Sequence, residues 1–213
     1  MTDLVDDMLE TAQRLAALGL SPGSTGNISC RVGDDIFLSA SGTSFATLSR
    51  DDVVKIRDGH MTGPKPTKEI GLHLEVYKRN LEATAVIHLH SPAAAAASCL
   101  EPWRPYSALP PLTPYVLMRV GNLPLVPYSH PGSEELVEGL RAVEYPYDAV
   151  LLANHGLIAS GGLKQAEEAS IEIEASCRTH LQLVGMKPNY LTDQQCEELT
   201  RKNGRPWGAQ DYR

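Results

Sequence analysis

Residues 85–90 read Ala85-Val-Ile-His-Leu-His90, and residues 151–157 read Leu151-Leu-Ala-Asn-His-Gly-Leu157. The first stretch is a β-branched apolar run ending in His-x-His, which predicts a buried strand whose alternate residues share one face. His88 and His90 therefore project to the same side. His155 follows a second apolar run and precedes a glycine, as expected of a ligand at a strand end. Three neutral imidazoles are a usual set for a catalytic zinc that keeps one position open.

These histidines also have a simpler interpretation, as core or strand-end residues satisfied by hydrogen bonds, which is the commoner role of a lone histidine. The combination of an apolar strand ending in His-x-His with an Asn-His-Gly segment favours metal binding instead. Three imidazoles also suit manganese, cobalt or iron, so zinc is the expected ion among several divalent candidates. Three other histidines lack matching partners and are not expected to bind metal: His60, His130 and His180.

The composition is that of an ordinary globular protein. The 213 residues are 42% hydrophobic and 21% charged, which fits one domain spanning residues 1–213 with a substantial core. The formal net charge of −7 gives no basic surface for nucleic acid or an anionic membrane. The expected partner is therefore a small molecule.

Several features predict a cytoplasmic protein. The first ten residues are acidic and lack the basic-then-apolar order of a signal peptide. No apolar run reaches the roughly 20 residues that a membrane span needs. The four cysteines are far apart and form no Cys-x-x-Cys pair, which predicts free thiols in a reducing compartment.

Periodicity and capping signals predict the regular elements. Helices are expected at 3–18, 67–79, 93–97, 133–143 and 163–184 and after a capping box at 192–195; strands are expected at 35–39, 53–57, 84–90, 123–126 and 148–153, with a hairpin partner at Ile158. Small residues at 21–29, turn residues at 59–64 and prolines at 101–114 predict irregular segments. This mixed order lacks a βαβα rhythm, so we expect a central, largely antiparallel sheet covered by helices.

Three small-residue segments resemble an anion cradle. Thr25-Gly-Asn-Ile-Ser29 and Ser41-Gly-Thr-Ser44 offer hydroxyls and open backbone N–H groups, although either alone is more often a turn. Pro66-Thr-Lys-Glu69 lies at a predicted helix start, where free N–H groups and the helix dipole attract phosphate. Lys68 adds a full positive charge there.

Glu69 is a candidate for both metal binding and proton transfer. A carboxylate beside a metal could ligate it at rest and take up protons during turnover. The alternative is a first-turn glutamate favoured only by the helix dipole. His73, one turn later, could join the metal, but we expect it to pack or hydrogen-bond around the ligands.

Together these motifs resemble the class II aldolases of the fuculose-phosphate and ribulose-phosphate epimerase type, from Gly23 through Asn154-His-Gly156. The resemblance implies a three-layer α/β/α fold, a zinc held by His88, His90 and His155, and Glu69 as acid–base and further ligand. It implies a homotetramer with sites at subunit boundaries, and Tyr115 as a proton donor to an adjacent site. Substrate phosphate or neighbouring oxygens would contact Asn27, Ser41, Gly42, Thr43 and Thr67.

Within this family the chain is most similar to the 3-oxo-tetronate 4-phosphate decarboxylases. The similarity lies in Leu109–Gly121, Leu123–Tyr128 and Pro131-Gly132. Lys68 departs from the aldolase pattern, which tends to have a small hydroxylic residue there. A cation at Lys68, or Arg119, could orient a substrate carboxylate instead.

The resemblance implies zinc-dependent decarboxylation of a 3-oxo-tetronate 4-phosphate to dihydroxyacetone phosphate and CO2 through a metal-bound enediolate. One alternative is an aldolase that cleaves a sugar phosphate to dihydroxyacetone phosphate and an aldehyde, and another is an epimerase using reversible aldol chemistry. A further alternative is a non-enzymatic, adducin-like assembly domain. The presence of all three histidines and Glu69 disfavours it.

Overall fold

A mixed eight-stranded sheet forms the centre of the protein. The structure is a computed structural model that describes residues 3–213. The strands follow the spatial order β4-β3-β2-β1-β5-β8-β7-β6. Their bounds are β1 Asn27–Val32, β2 Asp35–Ser39, β3 Val53–Arg57, β4 His60–Thr62, β5 Ala85–Leu89, β6 Leu125–Val126, β7 Ala149–Leu152 and β8 Gly156–Gly161. Every pairing is antiparallel except that of β6 with β7, which confirms the predicted sheet.

Within residues 3–213, seven α-helices cover both faces of this sheet. They are α1 Leu4–Ala17, α2 Ile70–Arg79, α3 Pro92–Ala97, α4 Pro114–Arg119, α5 Glu134–Arg141, α6 Leu163–Leu183 and α7 Asp193–Lys202. Apolar residues of α1, α3, α4, α6 and α7 form one core with the sheet, and those of α2 and α5 form another on the opposite face. The fold is therefore the three-layer α/β/α arrangement that the family resemblance implies.

Strand β5 is buried on both faces because helices cover each side. Ala85, Ile87 and Leu89 belong to the larger core, whereas Val86 belongs to the α2–α5 core. This alternation directs His88 toward the α2 side of the sheet. The apolar run before the His-x-His pair thus fixes which face receives the imidazoles.

Most predicted elements are present, although α2 begins at Ile70 rather than at residue 67 and β6 covers only Leu125–Val126, and three segments predicted to be irregular contain regular structure. Residues 27–32 form the central strand β1, although the small residues before them indicated only an irregular segment. Strand β4 lies within the predicted turn at 59–64. Helix α4 begins at Pro114, where a proline at the first helical position costs no hydrogen bond, so the irregular segment ends earlier than expected. The capping box at Thr192 is confirmed.

The C-terminal segment packs on the protein's own core. The Trp207 ring lies 5.1 Å from Tyr106 and 6.4 Å from Trp103, measured between ring centroids. The buried Asp148 carboxylate pairs with Arg205 at 3.0 Å and Arg213 at 2.7 Å. These contacts hold the aromatic tail in place.

Within residues 3–213, no helix combines the length and apolarity needed to cross a membrane.

A substitution at Gly26 tests how closely β1 approaches β5. Gly26 has a φ of +81°, and a Cβ there would lie 2.7 Å from the carbonyl oxygen of His88. Gly23 has a similar φ of +66° with open space around it. Alanine at either position carries the left-handed backbone cost of about 1–2 kcal/mol. We expect Gly26→Ala to lower the free energy of unfolding in urea by about 1–3 kcal/mol more than Gly23→Ala, because only Gly26 meets backbone. Equal losses in the two variants would contradict the close approach.

Candidate metal centre

Strand pairing places the His-x-His pair at the middle of the sheet. His88 opposes Asn27 of β1 on one side and Ile158 of β8 on the other. His88 is fully buried, and His90 lies just beyond the end of β5 and is half-buried. The two Nε2 atoms lie 2.9 Å apart, so the imidazoles do share one side, as the spacing predicted.

His155 is held in a tight turn between β7 and β8. Asn154 has a φ of +55°, a left-handed conformation that asparagine tolerates better than most residues. A Cβ at Gly156 would overlap the Leu89 carbonyl, so the next position requires glycine. The His155 backbone N–H donates to Ser98 Oγ at 3.2 Å. These constraints explain the Asn-His-Gly sequence, because each neighbour lets His155 lie against the end of β5.

Glu69 completes the cluster from the residue that precedes α2. Its carboxylate is only 5% exposed. Oε2 lies 3.3 Å from His88 Nε2, and Oε1 lies 3.2 Å from His155 Nε2. His155 Nε2 is also 3.0 Å from His90 Nε2. The structure thus brings together all four residues that the sequence suggested as ligands, with one ligand atom from each within 4.8 Å of the others.

The hydrogen bonds around this group indicate that it suits a cation. His88 Nδ1 lies 2.8 Å from the Leu157 carbonyl oxygen, to which only a protonated Nδ1 can donate. The other ring nitrogen, Nε2, faces the cluster and is the one available to bind a metal. The buried Glu69 Oε1 and His155 Nδ1 have no hydrogen-bond partner. Buried nitrogen lone pairs facing an unpaired carboxylate oxygen form a donor set that fits a divalent metal.

The protonation states favour the ligand forms. Burial, reinforced by the neighbouring rings of His88 and His155, lowers the pKa of His90 to about 4. Burial alone would raise the pKa of the Glu69 carboxyl, but the adjacent His155, His88 and Asn27 outweigh it and lower that pKa below its ordinary value. His90 is thus neutral and Glu69 ionised near pH 7.

Asn27 joins the metal cluster to the hydroxylic segments. Its Nδ2 donates to Glu69 Oε2 at 2.9 Å and to Thr67 Oγ1 at 3.3 Å. Asn27 and Thr67 are both buried. His73 is not among the ligands; its Nε2 lies 2.5 Å from Asn27 Oδ1, so it bonds around the cluster, as expected.

The segments of the predicted cradle lie side by side. Ala40 forms an isolated β-bridge with Pro66, and the Ser41 N–H donates to the Lys65 carbonyl at 2.9 Å. Gly42 has a φ of +78°, and Thr43 Oγ1 donates to the Ala40 carbonyl at 2.9 Å. Ser41 and Gly42 are exposed at this point. The cradle is therefore an open loop that adjoins the buried cluster through Thr67.

Lys68 stands on the exposed side of the cluster. A Cβ on Gly132 would lie 3.0 Å from the Lys68 carbonyl and 3.1 Å from its Cγ, so the 127–132 loop packs closely against it. The Lys68 charge also contributes to lowering the pKa of His90. A cation is thus present near the imidazoles, as the sequence indicated.

Tyr115 and Arg119 lie elsewhere on the chain. Both line a surface cavity of about 320 Å³ whose wall, within residues 3–213, includes none of the four clustered residues. The Tyr115 side chain is 59% exposed, and Arg119 is paired with Glu168. The cavity that these two residues line is therefore separate from the cluster.

Sequence reasoning missed the role of Glu174. This buried side chain on α6 accepts hydrogen bonds from the backbone N–H groups of Ala93 at 3.0 Å and Ala94 at 2.9 Å. It thereby satisfies the first turn of α3, which follows His90 directly. The one available signal was an acidic residue on a helix face that is otherwise apolar or small.

Comparisons with known proteins agree with this geometry. Residues 6–181 match the model of the Class II Aldolase and Adducin N-terminal domain. The chain is 36% identical to the 3-oxo-tetronate 4-phosphate decarboxylase of Haemophilus influenzae, covering 95% of this chain and 99% of that protein. It is 30% identical to the L-fuculose phosphate aldolase of the same organism, covering 94% and 93%.

Solved structures lead to the same family. The crystal structure of YgbL from Escherichia coli superposes with a TM-score of 0.87 at 33% identity, covering 92% of this chain and 97% of that chain. An L-fuculose 1-phosphate aldolase superposes with a TM-score of 0.82 at 25% identity, covering 95% and 96%. The chain therefore belongs to the class II aldolase and adducin N-terminal domain family.

Proposed function

We propose that the protein is a zinc-dependent decarboxylase that converts a 3-oxo-tetronate 4-phosphate to dihydroxyacetone phosphate and CO2. The observation that carries the proposal is a buried cluster of three histidines and one glutamate, with a lysine beside it and a hydroxylic cradle adjoining it. The decarboxylase named among the relatives matches nearly the full length of the chain. Decarboxylases and aldolases are both carbon–carbon lyases, and the chain is an enzyme of that class.

Each part of the substrate has a matching group on the protein. The open backbone and hydroxyls of Ser41, Gly42 and Thr43, together with Thr67, suit a phosphate. Asn27 adjoins Thr67 at the edge of the cluster and suits a neighbouring substrate oxygen. The Lys68 ammonium supplies the positive charge that a C1 carboxylate requires.

The reaction breaks the C1–C2 bond and leaves its electron pair on C2, which then takes up one proton. His88, His90, His155 and Glu69 would hold the zinc, which as a Lewis acid polarises the C3 ketone and stabilises negative charge on the substrate oxygens. Glu69, ionised at rest, is proposed to take up a proton from water during turnover and deliver it to C2. Arg119 is a second candidate for orienting the carboxylate, although its pairing with Glu168 engages it elsewhere.

Tyr115 is proposed as the partner of Glu69 in proton delivery. Its exposure on α4 fits a homotetramer in which Tyr115 reaches the site of an adjacent subunit. Sites at subunit boundaries would use exposed residues of this kind, and the cavity that Tyr115 lines includes none of the four clustered residues of its own chain.

Aldol cleavage is the second candidate function. The L-fuculose phosphate aldolase relative supports it, since the same cluster and cradle could stabilise the charge left by carbon–carbon cleavage in either reaction. Lys68 favours decarboxylation because a cation beside the site matches an acidic substrate. A purely structural, adducin-like role does not account for a fully retained set of buried ligands.

Product analysis distinguishes the two reactions. Purified protein incubated with a 3-oxo-tetronate 4-phosphate should release CO2 and form dihydroxyacetone phosphate without an aldehyde. Removing metal with a chelator should abolish this activity, and adding zinc should restore it, because the ligand set requires a divalent ion. Aldehyde production from L-fuculose 1-phosphate at a higher kcat/KM would establish the aldolase instead.

Glu69→Gln tests the proton-transfer role. The variant should still bind zinc through the three histidines, though less tightly, and at saturating zinc it should lose about 10²–10⁴-fold in kcat, the usual contribution of a general acid–base group. The matched control is Glu75→Gln, which alters another buried glutamate near α2 that is paired with Arg141 at 2.9 Å. The control should stay within about twofold of the wild-type kcat, since its change lies outside the site. Unchanged turnover in Glu69→Gln would remove Glu69 from the mechanism.

Lys68→Met tests carboxylate recognition. A charge-assisted hydrogen bond contributes about 1.5–3 kcal/mol, so kcat/KM should fall about 10–100-fold for the acidic substrate. Inhibition by dihydroxyacetone phosphate, which keeps the phosphate but lacks the carboxylate, should change much less. Lys78→Met on the exposed face of α2 is the control and should leave both values unchanged. Equal losses for substrate and inhibitor would assign Lys68 to the phosphate.

A further inference from the structure

A buried row of polar side chains leads from the core to the metal cluster. Three of these side chains are four residues apart, on one face of α2 and the residue before it: Glu69, His73 and Tyr77. The other two, Asn27 and Ser29, lie on one face of the adjacent strand β1. None of the five is more than 5% exposed. Buried polar groups at this depth are costly unless every donor meets an acceptor, so their hydrogen bonds must form a consistent set.

The direction of these bonds follows from Glu69. An ionised carboxylate can only accept, so Asn27 must present its Nδ2 to Glu69 Oε2, at 2.9 Å. Its Oδ1 then faces His73 Nε2 at 2.5 Å and can only accept. His73 must therefore carry its proton on Nε2. The reversed amide would place Asn27 Oδ1 against the negative carboxylate.

The same reasoning extends to the far end of the row. With Nε2 protonated, neutral His73 has a lone pair on Nδ1, which accepts from Ser29 Oγ at 2.8 Å. Ser29 has then used its proton and accepts from the Tyr77 hydroxyl at 2.9 Å. One arrangement of protons satisfies every contact, running from Tyr77 through Ser29, His73 and Asn27 to Glu69.

Burial determines the protonation states of His73 and Tyr77. Burial lowers the pKa of His73 to about 3, and burial raises the pKa of Tyr77 above its ordinary value. Both side chains are therefore neutral near pH 7. A neutral His73 with a single Nε2 proton is the state that the geometry requires.

We propose that His73 is a positioning residue that orients Glu69 through Asn27. By holding the Asn27 amide in one orientation, His73 ties Glu69 Oε2 to Asn27 Nδ2. Both oxygens approach a ligand nitrogen, Oε2 at 3.3 Å from His88 Nε2 and Oε1 at 3.2 Å from His155 Nε2, but only Oε1 has no hydrogen-bond partner. The inference rests on the proposed metal-binding role of Glu69. It adds that His73, which is not itself a ligand, determines which Glu69 oxygen is available to bind the metal.

Nuclear magnetic resonance of the wild-type protein tests the proton arrangement without an activity assay. Long-range ¹H–¹⁵N correlation at pH 7 should show His73 as the neutral tautomer with the proton on Nε2. Observation of the Nδ1-protonated tautomer, or of an imidazolium, would overturn the proposal.

Zinc affinity, measured by competition with a chromophoric chelator, tests the positioning role. His73→Met removes the donor to Asn27 and should weaken zinc binding about tenfold, because partners beyond the ligands typically contribute 10–100-fold. His73→Gln can still donate an amide N–H to Asn27 Oδ1 and should recover most of that loss. Wild-type affinity in folded His73→Met, or an equal loss in His73→Gln, would refute the proposal.

Two further variants separate positioning from loss of stability. Thr200→Val removes a buried hydroxyl that donates to the Cys196 carbonyl at 2.9 Å in α7, and it should leave zinc affinity unchanged. Ser29→Ala is a smaller change than His73→Met; it removes the donor to His73 Nδ1 without touching Asn27 and should weaken zinc binding severalfold, and unchanged affinity would count against the row. A wild-type protein that does not bind zinc would refute the proposed function itself, whereas failure of the His73 and Ser29 variants alone would refute only this inference.

Discussion

The architecture depends on holding three imidazole nitrogens and a carboxylate together in a largely buried space. Their ligand atoms lie within 4.8 Å of one another. Several histidine lone pairs and an unpaired carboxylate charge are unfavourable in such a space unless a cation binds to them. Each surrounding feature can be understood from this requirement: the doubly covered strand β5, the turn at Asn154, the glycines that permit close approach, and Glu174 at the start of α3.

The centre and the periphery of the site have different physical characters. Glu69, His88 and the row behind them are buried and hydrogen-bonded, and His90 and His155 are half-buried, whereas Ser41, Gly42 and Lys68 are exposed. A rigid interior can preserve one mode of charge stabilisation, and an exposed rim can change with the substrate. This division explains how relatives on one fold carry the names of a decarboxylase and an aldolase.

The sequence predicted much of this arrangement because the decisive signals were local. A few neighbouring residues are enough to recognise each of four features: the His-x-His run, the Asn-His-Gly segment, the capping box at Thr192 and the helical periodicity of α6. Strand β1 was missed because its first residues belong to the small-residue segment 21–29, whose composition is typical of a turn. The row from Tyr77 to Glu69 was also missed, although the spacing of four residues between Glu69, His73 and Tyr77 is visible in the sequence. Its meaning depends on the register of Asn27 against His88, which only long-range pairing determines.

The two outermost strands of the sheet are also its shortest. Strand β4 has three residues, all exposed, and β6 has two. Such short edge strands present few unpaired backbone groups to another chain. The sheet is therefore a poor template for edge-to-edge pairing between molecules. Copies that associate would therefore meet through helices and loops, which keeps fibril-like stacking and functional assembly on separate surfaces.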